Sequence, residues 1–586
     1  MDAPDPSPAP SAADRRAWAH HLGIAPDRFG PADADALLAS LVADDLPTAF
    51  ARTADGSPDA PALIVVSEGT ADQGAGDDGA PWLTHGELAR RAARVHALLA
   101  RRGVAPGDRV LLCGANSAAL VVAYLGLLRA GAVVVLANPA YTRSELEHLV
   151  TDSGARHALA DPAPAGALEG LVDAVDGLEE DPDPGGTAVP DPATPGGDAV
   201  ALLAYTSGTT GAPKGVPLTH ANLLSSIRAA MLAWRWSARD VLVHALPLSH
   251  QHGLGGVHAT LLAGSRAVVL PRFAPEDLAA AAARHRATVL FAVPAMYERL
   301  AADPAACARL RPALRLAVCG SAPLAPALAE RVTHALGHAP LERYGSTEAG
   351  LDVSLPLDGP GGPGTVGLPL PGVQMRLRTG DGTPTTEVGV EGEVLLRGPQ
   401  VFAGYWHAPE ATAAAFDDGW FRTGDLGRVE EDTGYLRLTG RLKELIITGG
   451  MNVSPGEVEA ALDDHPAVAE VGVAGVPSER WGEEVTAWVV PAAGTVADER
   501  ELLDHAALRL APYKRPKRVH VVEDLPRNGM GKLQRARLAP PEPPDDAGPA
   551  GATAPDVDTT ELDRALARLR RADPGREPGS ERAGAP

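Results

Sequence analysis

Along "LTHGELARRAARVHALLARRG", Leu88, Ala92, Val95 and Leu99 return every three or four positions, a spacing that predicts an amphipathic helix. Thr84 and Glu87, three apart at its start, have the spacing of a capping box. Downstream the period changes. "RVLLCGAN", "AVVVLANP" and "HALAD" are short apolar runs that predict buried strands, and the segments between them, one ending at Arg129 and one around Leu146, keep helical spacing. Strands alternating with helices predict a mainly parallel sheet with helices on its faces. The alternation resumes through "DVLVHALP", "RAVVLP", "ATVLFAVP" and "LRLAVCGSAPL". After about Gly361, short strands with Gly/Pro turns predict a small β subdomain. Beyond Arg441, "GEVEAALDDHP" reads as helix and "VTAWVVP" as strand. The expected class is α/β: a large N-terminal domain of mainly parallel sheets with helices and a small β subdomain, followed by a smaller α+β C-terminal domain.

These shifts of pattern set the expected boundaries. Residues 1–45 form an N-terminal extension, partly disordered because its first twenty or so residues are rich in Pro, Ala and Asp. A large domain covers 46–440, with a flexible excursion over 161–197 around "EEDPDPGGTAVPDPATPGG". A small domain covers 441–540, and an acidic Pro-rich tail over 541–586 reads as disordered, with "ELDRALARLRR" able to form a short helix.

Composition then removes several classes of function. The 75 acidic and 52 basic residues leave a formal charge of −23, which excludes a nucleic-acid coat. Cys113, Cys307 and Cys319 include no C-x-x-C pair, so neither a disulfide framework nor a thiolate zinc site is expected, and a reducing cytoplasm fits. The first residues lack the basic start and apolar core of a secretory signal. The apolar stretch "AALVVAYLGLLRAGAVVVLANPA" is interrupted by Arg129 and Gly131 short of the ~18 to 20 residues that span a bilayer. It predicts a buried helix and then a buried strand.

Candidate chemistry begins at "AYTSGTTGAPKG". Gly208, Gly211 and Gly215 remove Cβ where backbone N–H groups must approach an anion. Thr206, Ser207, Thr209 and Thr210 add hydroxyl donors, and Lys214 adds a mobile positive charge. The set suits a polyphosphate. It is not the Walker pattern G-x-x-x-x-G-K-[ST], because Pro213 precedes the lysine and Gly215 follows it. In "YGSTE", Thr347 can bond a phosphate oxygen while Glu348 helps hold Mg²⁺. Asp425 of "TGD" can accept from two ribose hydroxyls, and is otherwise a turn residue.

"YTSGTTGAPKG" closely resembles the signature of the adenylate-forming enzymes, the superfamily of acyl-CoA synthetases, luciferases and peptide-synthetase adenylation domains. "NPAYTRSEL", "GSAPL", "YGSTE", "WFRTGDLG", "GRLKELI" and "PRNGMGK" follow in that superfamily's order, so the likeness covers about residues 46 to 540. It implies that Gly320, Ser321, Ala322 and Pro323, with Gly345, belong to the ATP site, that Tyr344 stacks near adenine, and that Arg441 joins Asp425 at the ribose. It implies that Lys532 is the adenylation lysine, Lys443 the hinge of a mobile C-terminal domain, and Gly449 and Gly450 the lining of a pantetheine path. ATP, Mg²⁺ and CoA are the implied cofactor and co-substrates. A carrier-protein thiol bears the same phosphopantetheine arm and stays open as acceptor.

"HALPLSHQHGL", "LERYGSTE" and the stretches after Val401 and Leu510 look most like malonyl-CoA or methylmalonyl-CoA synthetases. That likeness puts His250 beside the acyl carboxylate. Arg343 is the candidate for gripping a second carboxylate, since a guanidinium offers two parallel hydrogen bonds. Its alternatives are pairing with Glu342 or Glu348, and a short- or medium-chain monocarboxylic acid as substrate. Ser346 and "LDVS" depart from the pattern of those synthetases, and an Asp352 facing the acyl pocket is expected to repel a dianion.

Overall fold

The computed structural model describes residues 9–66, 82–182, 188–206, 213–362, 364–448, 451–478, 481–527 and 531–538. The chain divides into two compact units, one ending at Leu438 and one starting at Thr439. Ser207, Gly208, Thr209, Thr210, Gly211, Gly449, Gly450 and the C-terminal tail lie outside the described residues.

The first unit is built on two sheets with parallel centres. In the nine-stranded sheet, Leu341–Ser346, Leu316–Cys319, Val289–Ala292, Val241–His244, Arg266–Val269 and Pro61–Val65 lie side by side and parallel. Antiparallel strands flank them, Gly350–Ser354 and Leu368–Pro369 at one edge and Leu83–Thr84 at the other. The second sheet orders Ala174–Gly177, His157–Ala160, Arg109–Cys113, Val133–Ala137 and Val200–Thr206 in parallel, closed by antiparallel Lys214–Thr219. Every residue of Val133–Ala137 is buried, as a strand covered on both faces requires. An antiparallel sheet of Gln374–Arg378, Glu391–Arg397 and Trp420–Val429 with their short neighbours forms the β subdomain. The second unit is a small sheet, centred on Val468–Ser478 paired with Gly482–Pro491, carrying the helices Pro455–Asp463 and Glu499–Arg509.

Local chemistry explains the elements. Thr84 caps His85–Arg101 in a reciprocal box with Glu87, and Leu88, Ala92, Val95 and Leu99 are buried as their spacing predicts. Two expectations need correction. The Pro/Ala/Asp-rich start contains a helix, Ala12–Leu22, capped by Ser11 and Asp14 and anchored by fully buried Trp18. The Trp18 indole N–H donates to Val373 O at 2.9 Å. One large aromatic side chain with a satisfied N–H supplies what the average composition of the segment lacks. The excursion after Asp161 likewise holds a helix, Pro162–Leu168, and the strand Ala174–Gly177, which adds to the sheet beside His157–Ala160 and receives the Arg102 guanidinium on Asp176. An edge strand can form from weakly apolar residues because the sheet beside it supplies the hydrogen-bond ladder.

Candidate active site

In an open parallel sheet, ligands bind beyond the carboxyl ends of the strands. Three parallel strands of the nine-stranded sheet, two of them adjacent and the third one strand further on, deliver the candidate residues there. His250 follows Val241–His244, the loop Gly320 to Leu324 follows Leu316–Cys319, and Tyr344 to Glu348 close Leu341–Ser346. Glycine is required at two of these positions. A Cβ on Gly345 would lie 2.0 Å from Gly350 O, and one on Gly320 would lie 2.4 Å from Arg343 Nε. Ser321 holds φ 72° without being glycine, a strained conformation of the kind found at ligand sites. Ala322 and Pro323 continue the same loop ahead of the helix Pro326–Leu336.

On the nucleotide side, Tyr344 is buried and its hydroxyl donates to Asp425 Oδ2 at 2.6 Å, fixing the carboxylate expected at the ribose. Asp425 N–H donates to Thr423 Oγ1, which holds the turn. Thr206 and Lys214 face each other as the last pair of the hairpin that brackets the candidate phosphate loop. Lys214 Nζ sits 5.1 Å from the centre of the Tyr405 ring. The Tyr405 hydroxyl donates to Glu348 Oε1 at 2.9 Å, and Phe402 N–H to Glu348 O at 2.8 Å. Gln251 Nε2 donates to Thr347 O at 2.9 Å. Tyr405 thus joins Lys214 to Glu348 and Gln251 holds the Thr347 carbonyl, and the motifs singled out neither residue. Tyr405 stands inside the quoted stretch "VFAGYWHAPE", but nothing in its spacing marks it. Among the described residues no group of three or more His, Cys, Asp or Glu could by itself hold a metal ion. A Mg²⁺ arriving with ATP takes most of its oxygens from phosphate and water, so the single carboxylate Glu348 fits it.

Arg343, the candidate for the acid, is buried and packs on Gly320, and its Nε has no hydrogen-bond partner. Burial lowers its pKa to about 10, which leaves it cationic at neutral pH. Neither alternative partner takes it. Glu342 accepts backbone N–H groups of Gly364 and Leu324, and burial pushes its carboxyl up to about 8; Glu348 accepts from Tyr405. His252 contributes Nδ1 to Ser321 Oγ at 3.1 Å, while its buried Nε2 has no partner. Burial, with Arg343 next, holds the His252 ring well below its usual pKa. His250 occupies the N-cap position of Gln251–Ala263, and burial keeps its ring neutral too. Burial disfavours the negative charge expected of Asp352. The residue is fully buried, Gln400 Nε2 donates to its Oδ1 at 3.1 Å, and burial pushes its carboxyl well above the usual carboxylate range.

The second unit carries its own candidates. Arg441 ends the strand Leu436–Arg441, and Lys443 is exposed on the single turn Leu442–Glu444. Lys532 follows Gly531, whose φ is 75°. Arg527 Nη1 donates to Gly531 O at 2.8 Å, and Arg535 reaches Glu444 at 2.7 Å and Glu459 at 2.6 Å. Those bonds pin the chain on both sides of Lys532.

This fold and site define an enzyme that activates a carboxylate with ATP, and the comparisons agree. The AMP-binding enzyme family matches residues 50–406 and the AMP-binding enzyme C-terminal domain matches residues 457–532. The chain belongs to that family and is an AMP-forming acid–CoA ligase. It is 39% identical to a feruloyl-CoA synthase of Amycolatopsis sp, over 78% of this chain and 93% of that one. It is 36% identical to the mitochondrial malonate–CoA ligase ACSF3 of Homo sapiens, over 78% and 87%. ATP-bound MatB from Rhodopseudomonas palustris superimposes with a TM-score of 0.77 at 38% identity, over 84% of this chain and 97% of that one. No helix among the described residues is long and apolar enough to cross a membrane.

Proposed function

We propose that this ligase activates a small dicarboxylic acid, malonate or methylmalonate, and transfers the acyl group to CoA. One carboxylate oxygen attacks the α-phosphorus of ATP and pyrophosphate leaves, giving an acyl-adenylate. The CoA thiolate then attacks the acyl carbon and AMP leaves with the bonding pair. Lys214, Thr206 and the hairpin loop with Ser207, Gly208, Thr209, Thr210 and Gly211 hold phosphates. Thr347 bonds the α-phosphate and Glu348 holds Mg²⁺. Tyr344 stacks on adenine, and Asp425 and Arg441 bind the ribose. Lys532 stabilises the charge that moves between carboxylate and α-phosphate. Lys443 serves as hinge between the two half-reactions, and Gly449 and Gly450 line the pantetheine path. His250 stands beside the reacting carboxylate.

The observation that carries the choice of acid is Arg343: a buried guanidinium in the acyl region, with an unpartnered Nε and no carboxylate in ion-pair contact among the described residues. A buried unpaired charge is costly, so a site that keeps one is suited to a ligand of opposite charge. The 36% identity to a malonate–CoA ligase supports the same reading. The likeness to a feruloyl-CoA synthase favours a second one, in which the acid has no second carboxylate and Arg343 only packs against Gly320. Mass spectrometry of products formed from ATP, Mg²⁺, CoA and a mixture of malonate, methylmalonate, butyrate and ferulate separates the two. Malonyl- or methylmalonyl-CoA is the expected main product. Feruloyl- or butyryl-CoA in its place contradicts the choice of acid, and adenylate without any CoA ester points to a carrier-protein thiol.

A further inference from the structure

Beyond the strand Arg518–Val521, the chain carries Lys532 on a short hairpin: Arg527 and Leu533 face each other in an isolated antiparallel bridge, and Gln534 N–H donates to Pro526 O at 2.8 Å. One bridge is a weak hold, so side chains fasten this hairpin to the unit. Arg527 Nη2 donates to Glu470 Oε2 at 2.5 Å. Leu533 and Leu538 rest on Gly472, where a Cβ would stand 3.1 Å from Leu533 Cδ2. Three residues after Lys532, Arg535 lays Nε and Nη2 along the Glu459 carboxylate, at 3.2 and 2.6 Å, and extends Nη1 to Glu444 Oε2 at 2.7 Å. Glu459 is itself fixed, since its Oε1 accepts Val473 N–H at 2.8 Å. One planar guanidinium therefore joins the helix Pro455–Asp463, the segment of the lysine and the turn Leu442–Glu444.

We propose that Arg535 and Glu444 are positioning residues of the adenylation step: their ion pair fixes the backbone of Lys532 to the turn that holds Lys443, so that the ammonium and the hinge move as one piece. This rests on Lys532 being the adenylation lysine and Lys443 the hinge, and adds the part that transmits one to the other. A lysine places its charge through a flexible four-carbon stem, so the precision of that charge depends on how firmly its backbone is held. A displacement of about 1 Å at a reacting centre can cost about a hundredfold in rate. Transfer to CoA does not use this charge, so a misplaced Lys532 spares it. Glu444 adjoins Lys443 and stands outside the Arg535–Glu459 pair, so its side chain can be removed without stranding either of those two charges. Arg535→Ala, by contrast, leaves Glu459 without its cation.

The test follows the two half-reactions separately in the full chain, as acid-dependent exchange of pyrophosphate into ATP and as transfer from supplied acyl-adenylate to CoA. Glu444→Ala is expected to lower the maximal exchange rate by about tenfold to a hundredfold, with KM for ATP and for the acid, transfer to CoA and Tm little changed. Glu444→Gln keeps an oxygen that accepts from Arg535 Nη1 and recovers most of the rate. Glu444→Ala added to Lys532→Ala costs nothing further, because the position of an absent ammonium has no effect. A role in folding alone lowers both half-reactions and adds to the loss. Unchanged exchange in Glu444→Ala, equal losses in exchange and transfer, or additive losses in the double variant overturn the proposal. If Lys532→Ala lowers exchange while Glu444→Ala does not, only this inference falls; if Lys532→Ala keeps full exchange, the reading of Lys532 falls with it.

Discussion

At the scale of single residues, Tyr405 joins the two charges proposed to meet the nucleotide. Its ring faces Lys214 Nζ and its hydroxyl donates to Glu348. Tyr405→Phe keeps the ring and removes the hydroxyl, and a hydrogen bond to a charged acceptor is worth about 1.5–3 kcal/mol. The expected result is a roughly tenfold or larger rise in KM for MgATP, with KM for the acid little changed; equal rises in both contradict the assignment. Tyr344, Thr347, Glu348 and Asp425 stand out in the sequence because each sits in a short motif that resembles those of the adenylate-forming enzymes, and the structure links Tyr344 to Asp425 by a hydrogen bond. Tyr405, Gln251 and Gln400 do not stand out, because each meets its partner only through the fold, 57, 96 and 48 residues away along the chain. For a related reason the identity of Asp352 is visible in the sequence, but its burial and its bond to Gln400 are not.

At the scale of elements, capping boxes and apolar periods transferred well from sequence to structure, as in His85–Arg101 and the strand Val133–Ala137. The helix Ala12–Leu22 did not, since its hold on the unit comes from long-range contacts. Trp18 donates to Val373 and His21 meets Leu368 O at 3.1 Å. Farther on, Arg228 of His220–Ala233 donates to the carbonyls of Ser40, Leu41 and Ala43 at 3.1, 3.1 and 2.6 Å. The N-terminal segment is thereby fastened to the helix that follows the hairpin of Val200–Thr206 and Lys214–Thr219. Trp18→Ala removes the anchor, at a cost of about 3–5 kcal/mol for a buried aromatic truncated to alanine. Thermal unfolding followed by circular dichroism is expected to show a loss of several degrees in Tm. An unchanged Tm contradicts a packed N-terminal helix.

At the scale of the whole molecule, buried histidines set the response to acid. Burial lowers His21, His220 and His244 to about 4 and His258 to about 3, against an ordinary 6.5. The unfolded chain therefore binds more protons than the folded one between about 6.5 and 4, and stability falls as pH drops through that window. Glu342 and Asp352, raised by burial, act in the opposite sense but are fewer. A Tm that declines steadily below pH 6.5 is expected, and a flat or rising Tm there contradicts it. The two-unit organisation carries a further expectation. If Lys532 is the adenylation lysine, Lys532→Ala lowers acid-dependent exchange of pyrophosphate into ATP by about 10²–10³, while transfer from supplied acyl-adenylate to CoA persists. Full exchange activity in that variant removes Lys532 from the mechanism.

The account turns on Arg343, and the most direct measurement is kcat/KM for malonate and for butyrate in wild type and Arg343→Ala. Loss of a bidentate charge-assisted grip predicts a drop for malonate of about 10² or more with little change for butyrate, so that the ratio of the two collapses. A ratio that stays the same, with both acids used as before or both lost together, contradicts recognition of a second carboxylate by this residue.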